Sequence, residues 1–184
     1  MSIYFTSDLH FGHDKEFLWG ARGFQSSQEH DEVVIERINS IVKPDDHLFI
    51  LGDLMLGQDD EGGIAKVKRL NGYKIFIYGN HDSSNRISLY RQNHLMVQDN
   101  YAMPYTFGKH KFFISHYPSM SANMDDDKKP WQRVYNLCGH THTINPFYHW
   151  EFGCYHVELD AHNCYPVSIE HIIEEIRSVT KRYE

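Results

Sequence analysis

The segments HLFILGD at 47–53 and KIFIYGNHD at 74–82 decide how this chain folds. Each is a short, nearly continuous apolar run closed by glycine and then by a residue able to bind metal. Such a run has no polar face, so it suits a strand buried on both sides, as in a parallel sheet. Between them, residues 64–70 carry helical periodicity and end in Asn71-Gly72, a helix stop. Towards the N-terminus, residues 28–42 predict a helix capped by Ser26 or Ser27, with Val34, Ile38 and Ile41 on one stripe. Pro44-Asp45-Asp46 breaks it, and residues 3–6 form a first short β-prone run ending in Ser7-Asp8. This β-α-β-α-β rhythm predicts an α/β fold with a parallel sheet covered on both faces.

The second half has a different rhythm. Residues 105–107 and 111–115 flank Gly108-Lys109-His110 and predict a hairpin. A strand at 134–138 follows, then a second hairpin from 148–152 and 155–159, split at Gly153-Cys154. Pro166-Val167-Ser168 opens a C-terminal helix whose stripe is Ile169, Ile172, Ile173, Ile176 and Val179. Residues 118–133 lack any period. If His116 and His140 both hold metal, this loop is pinned at both ends near the site and can overhang it. With no repeat or linker, residues 1–184 read as one domain.

Composition narrows the function. A hydrophobic share of 41% and a charged share of 23% describe an ordinary globular protein. A net charge of −7 disfavours a basic face that wraps nucleic acid. Bound cations would offset that charge locally and let the site attract anions. Three cysteines without CxxC spacing predict reduced thiols, neither a disulfide framework nor a zinc ribbon. The N-terminus lacks the basic and apolar regions of a signal peptide, and no apolar run is long enough for a bilayer. A cytoplasmic protein without membrane contact is expected. Nothing in the sequence sets an oligomeric state.

Chemistry concentrates in five blocks at predicted strand ends: Asp8-Leu9-His10, Gly52-Asp53, Gly79-Asn80-His81-Asp82, Ser115-His116 and Gly139-His140-Thr141-His142. Strand C-termini are where α/β sheets gather their sites. Asp8 and His10, like His140 and His142, stand one residue apart, so on an extended chain both side chains of each pair point one way. Asp53 has two oxygens and can bridge two cations, while Asn80 offers a neutral carbonyl. Mixed oxygen and imidazole donors suit Mn, Fe, Co, Ni or Zn better than Ca. Two such cations would activate a bridging water and polarise a phosphate ester. The proton for the leaving alkoxide must come from elsewhere; His81 is the candidate general acid, with Asp82 holding its imidazole or bracing the loop. The remaining histidines at 30, 47, 94, 110, 149, 156 and 171 share no such spacing and read as structural.

This ordered set of blocks resembles the calcineurin-like metallophosphoesterase superfamily, and in particular its small single-domain bacterial and phage members. The blocks span residues 8–142, and the ending with Asn163 and Pro166-Val167-Ser168 also resembles those members. The resemblance implies a four-layer αββα sandwich of two mixed sheets flanked by helices. It implies that Asp8, His10 and His142 hold one divalent ion, that Asn80, His116 and His140 hold a second, that Asp53 bridges them, and that His81 is the proton donor. The arginine of the Gly-Asp-x-x-Asp-Arg-Gly motif found in protein phosphatases of the superfamily is missing after Gly52-Asp53, which disfavours phosphoprotein and dinucleoside tetraphosphate substrates. His13 and Arg22, expected near the metals, are candidate substrate contacts, with His162 and Asn163 behind them. The expected activity is hydrolysis of a small phosphodiester. A nuclease or phosphomonoesterase on the same core is the alternative, and a non-catalytic interaction module ranks last.

Overall fold

A computed structural model describes residues 1–119, 132–147 and 153–180. Two mixed sheets flanked by helices form the fold. The first sheet contains β1 (Ile3–Thr6), β2 (His47–Leu51), β3 (Tyr73–Ile77), β4 (Gln98–Asn100) and β9 (Val167–Ser168), ordered β4-β3-β2-β1-β9. Its pairs are parallel except β1 with β9. The second sheet is ordered β5-β6-β7-β8, from Ala102–Phe107, His110–Ser115, Val134–Cys138 and Cys154–His156. There β5 and β6 are antiparallel and the other pairs parallel.

Strand alternation explains why β2 and β3 read as unbroken apolar runs. Leu48, Ile50, Phe76 and Tyr78 face one way, into a core shared with α2 (Ser27–Ile41), α3 (Asp60–Lys68) and α4 (Ser84–Gln92). Their neighbours Phe49, Leu51, Ile75 and Ile77 face the other way, against Phe112, Ile114, Leu137 and Tyr155 of the second sheet. Both faces are buried, so neither leaves a polar period. On α2, the Ser26 hydroxyl accepts from the Glu29 N–H, and Val34, Ile35 and Ile38 pack inward.

Several expectations need correction or extension. The C-terminal helix α5 (Ile169–Thr180) starts later than Pro166, because Val167–Ser168 first pair with β1 as an edge strand. Its stripe of Ile169, Ile172, Ile173 and Ile176 joins the core between the sheets. Helix α4 was hidden by a polar sequence; only Ile87 and Tyr90 are buried along it, although the Ser83 hydroxyl caps it. A short α1 (Glu16–Trp19) also precedes α2. Of the second expected hairpin, residues 148–152 lie outside the described residues, and β8 runs parallel to β7. Residues 120–131 of the expected overhanging loop also lie outside them. The first hairpin forms, with β5 longer than its predicted strand.

Candidate metal centre

All five blocks meet at the strand ends, and backbone hydrogen bonds tie them together. Asp8 N–H donates to the Gly52 carbonyl at 3.1 Å, His10 N–H to that of Asp53 at 2.9 Å, and Gly139 N–H to that of His116 at 3.0 Å. Such close approach needs glycine. A Cβ on Gly52 would lie 2.3 Å from His116 Nδ1, and one on Gly139 would lie 2.4 Å from Asp8 Oδ2.

The ligand pairs do not sit on extended chain as the i, i+2 argument assumed. Asp8, His10, Asp53, His140 and His142 all have positive φ, between 48° and 76°. The chain turns left-handed at each strand end, and that turn aims the side chains into the cleft. Left-handed backbone costs most non-glycine residues about 1 kcal/mol or more, and such strain clusters at functional sites.

Two groups of donor atoms result. In one, His10 Nε2 lies 3.7 Å from Asp8 Oδ1 and 3.2 Å from His142 Nε2, while His142 Nε2 lies 3.7 Å from Asp8 Oδ1. In the other, His116 Nε2 lies 2.9 Å from Asn80 Oδ1 and 3.2 Å from His140 Nδ1. Asp53 Oδ2 stands between them, 3.7 Å from His10 Nε2 and 3.6 Å from His116 Nε2.

These donors fit divalent cations on their own chemistry. Asp8 Oδ1 is buried without a hydrogen-bond partner among the described residues. Orphaned buried carboxylate oxygens are costly unless something cationic meets them. The other Asp8 oxygen, Oδ2, lies 2.6 Å from the Ser7 hydroxyl and accepts from His140 N–H at 2.9 Å, which aims Oδ1 at the two imidazoles. Burial pushes the Asp8 carboxyl up to about 6 and holds the His10 imidazole down to about 2. His10 is therefore neutral, the form that ligates. Burial also lowers His140.

His81 projects at the rim. Its side chain is 41% exposed, its Nε2 lies 4.0 Å from Asp53 Oδ2, and its backbone N–H donates to Asp53 Oδ1 at 2.9 Å. Asp82 does something other than hold that ring. Its Oδ2 accepts from the N–H groups of Asp53 and Gly79, both at 2.9 Å, and its Oδ1 from Leu54 N–H at 3.3 Å and Tyr90 O–H at 3.0 Å. Burial raises its carboxyl, with the Asp53 charge adding to the effect. The side chain locks the Gly52-Asp53 turn against the Gly79 turn.

His13 also lies near the rim, its ring 6.0 Å from that of His10 and 5.4 Å from exposed Phe17. Arg22 lies beside the candidate ligands, as expected, but it is turned into the protein. Its side chain is only 2% exposed, in a double hydrogen bond to Asp160 at 3.0 and 2.7 Å and a third to the Asp8 carbonyl at 2.9 Å. Asp160, absent from the sequence reading, also accepts from His142 Nδ1 at 2.9 Å. Burial opposes the Asp160 charge, yet the hydrogen bonds from His142 and Arg22 hold its carboxyl well below the usual carboxylate range. On His142, burial pulls the imidazole down, but the Asp160 bond and the Asp8 charge outweigh it and the net shift is upward. The signal for Asp160 was the alternation of acids in VELD at 157–160, where Glu158 and Asp160 interrupt an apolar run. His162 donates to the His156 carbonyl, and Asn163 is a left-handed cap whose carbonyl accepts from Arg37. A further neighbour is Tyr117, half-exposed with its ring centred 4.6 Å from that of His140.

A centre of this build on this fold defines a class, and the comparisons agree. The Calcineurin-like phosphoesterase superfamily domain matches residues 1–157, and the chain belongs to that family, whose members use divalent metals. An uncharacterised protein of Methanocaldococcus jannaschii is 26% identical over 179 residues, covering 95% of this chain and 90% of its own. The gene 66 protein of Mycobacterium phage L5 is 28% identical over 167 residues, covering 77% and 78%. The crystal structure of a protein of unknown function from Aquifex aeolicus superposes with a TM-score of 0.70 at 20% identity, covering 94% of this chain and 98% of that one, a likeness of fold. Among the described residues no helix is long and apolar enough to cross a membrane.

Proposed function

We propose that this phosphoesterase hydrolyses small phosphodiesters at a dinuclear centre, with His81 as general acid. One observation carries the reading: Asp53 Oδ2 lies 3.7 and 3.6 Å from the imidazole nitrogens His10 Nε2 and His116 Nε2, so one carboxylate oxygen serves two donor groups. Asp8, His10 and His142 would hold one cation, Asn80, His116 and His140 the other, and Asp53 both; Mn, Fe, Co, Ni and Zn match these donors. Bound there, two cations lower the pKa of a water and polarise the phosphoryl oxygens.

The chain's own residues do the rest. His81, half out of the protein and close to the shared carboxylate, delivers a proton from its imidazole to the departing alkoxide oxygen. His13 and the exposed Phe17 form a rim where a substrate group beyond the phosphate would rest. A diester fits better than a polymeric nucleic acid because the net charge of −7 opposes long polyanions. With three cysteines lacking disulfide spacing, we place the protein in the cytoplasm.

The test is a His81→Ala variant assayed on two diesters, one with an alkyl and one with a nitrophenyl leaving group. Turnover should fall about 100- to 10,000-fold on the alkyl ester, and much less on the nitrophenyl ester, whose anion leaves without a proton. Equal losses on both would remove the general-acid role. A steep salt dependence on oligonucleotides, with higher turnover than on small diesters, would favour the nuclease reading.

A further inference from the structure

We infer that Asp160 and Arg22 are positioning residues that make the two cation sites unequal, fixing His142 as a ligand and making the Asp8–His10–His142 site the tighter one. The inference rests on the dinuclear reading above and concerns which of the two sites is filled first.

His142 has two ring nitrogens with two jobs. Nε2 faces Asp8 Oδ1 and His10 Nε2, at 3.7 and 3.2 Å. Nδ1 faces Asp160 Oδ2 at 2.9 Å. For Nε2 to ligate, the ring proton must sit on Nδ1, and a carboxylate acceptor there enforces that tautomer and raises the basicity of Nε2. A carboxylate on the outer nitrogen of a ligating histidine typically matters about 10- to 100-fold in metal affinity.

Arg22 keeps that carboxylate charged and aimed. Its guanidinium grips both Asp160 oxygens, an arrangement only the planar fork provides. The same guanidinium donates to the Asp8 carbonyl, so one side chain joins the Asp8 loop to Asp160, the partner of His142. Behind it the contacts continue. Arg22 Nη1 lies 2.9 Å from His30 Nε2, His30 Nδ1 lies 2.9 Å from Asp31 Oδ1, and Asp31 Oδ2 accepts from Gly12 N–H at 2.9 Å and from Lys66 at 2.7 Å. Arg22, His30 and Asp31 are each at most 2% exposed in their side chains. A buried charge chain of this length fixes the loop from Asp8 to Gly12 in one geometry.

The second site has a weaker support. Its His116 donates through Nδ1 to a neutral backbone carbonyl, that of Leu51, at 2.8 Å. Asn80 is neutral as well. Both histidines therefore carry their proton on Nδ1, but the acceptor is a carboxylate for His142 and a carbonyl for His116. Arg22 balances the Asp160 charge, so the sites differ in the Asp8 carboxylate against neutral Asn80 and in the more basic His142 Nε2, and both differences favour the Asp8–His10–His142 site.

The test uses the full chain, stripped with chelator and titrated with Mn2+ by calorimetry and with Co2+ by visible absorption. Asp160→Asn and Arg22→Lys are compared with wild type, and His142→Ala and Asn80→Ala supply reference spectra for loss of each site. Wild type should take up two ions in two steps, the first about 10- to 100-fold tighter. Asp160→Asn should erase that gap and change the low-Co2+ spectrum from one matching Asn80→Ala to a mixture of the Asn80→Ala and His142→Ala spectra, with an unfolding temperature close to wild type in chelator. Arg22→Lys, which keeps the charge but loses the fork, should narrow the gap less. If Asp160→Asn fails to fold, the narrowed gap in Arg22→Lys carries the test. Wild-type stepwise affinities in the folded variants, or equal weakening of both sites, overturns the inference. A wild-type protein that binds fewer than two ions overturns the dinuclear reading instead.

Discussion

Replacing Asp82 by alanine separates two roles that its sequence neighbourhood suggested. The carboxylate accepts four hydrogen bonds, from the N–H groups of Asp53, Leu54 and Gly79 and from the Tyr90 hydroxyl, and the residue is 7% exposed. Hydrogen bonds to a charged acceptor contribute about 1.5–3 kcal/mol each. The buried charge itself opposes part of this, since burial and the nearby Asp53 both raise its carboxyl. Water entering the vacated space offsets more, so we expect a net loss of about 4 kcal/mol, from four buried donors left without their acceptor. With a urea slope of about 2 kcal/mol per molar, the unfolding midpoint should fall by roughly 2 M in chelator-treated protein. Activity should drop by a similar factor on alkyl and nitrophenyl esters, because the damage is to the Asp53 and Asn80 turns. A midpoint shift under roughly 0.5 M, together with a selective loss on alkyl esters, would refute this reasoning and return Asp82 to the service of His81.

Other outcomes follow from the same geometry. Asp53→Ala removes the oxygen shared by both donor groups, and elemental analysis should find fewer than two ions per chain; two retained ions would contradict the bridging role. Gly139→Ala places a methyl 2.0 Å from Ser7 Oγ and 2.4 Å from Asp8 Oδ2, so it should displace a ligand and weaken metal binding even where the protein stays folded, as Mn2+ titration will record. Adding Mn2+ to stripped protein at about 100 times the dissociation constant of the tighter site should stabilise it by about 2.7 kcal/mol from that site alone, read as a rise in unfolding temperature; no rise would count against a site formed only in the native state.

The β1-β2-β3 part of the first sheet was legible because β2 and β3 are buried on both faces and closed by glycine, a pattern with few other solutions; β4, three polar residues, was not. The C-terminal helix was legible from its isoleucine stripe, but the two residues before it were not, since a two-residue edge strand has no period to detect. Helix α4 was hidden because only Ile87 and Tyr90 among its residues are buried. In the site, residue types and order marked the candidate ligands, whereas the backbone that aims them was misjudged. Nothing in Asp8-Leu9-His10 announces two left-handed residues, because that conformation is imposed by the tertiary bonds to Gly52 and Asp53. Arg22 was noticed for its charge and expected to face the substrate. Its true partner, Asp160, lies 138 residues away, and no local pattern reports such a pairing.

The left-handed backbone at five candidate ligand positions has a consequence for how this protein can change. At such positions glycine is the relaxed residue; aspartate and histidine tolerate the conformation better than most side chains, yet adopt it less readily than glycine. Glycine at His10 or His140 should therefore give a sturdier metal-free protein than alanine at the same place. Selection for robustness alone would drift towards a glycine-rich, inert relative of this chain. The histidines and aspartates remain only while the chemistry they support is under selection.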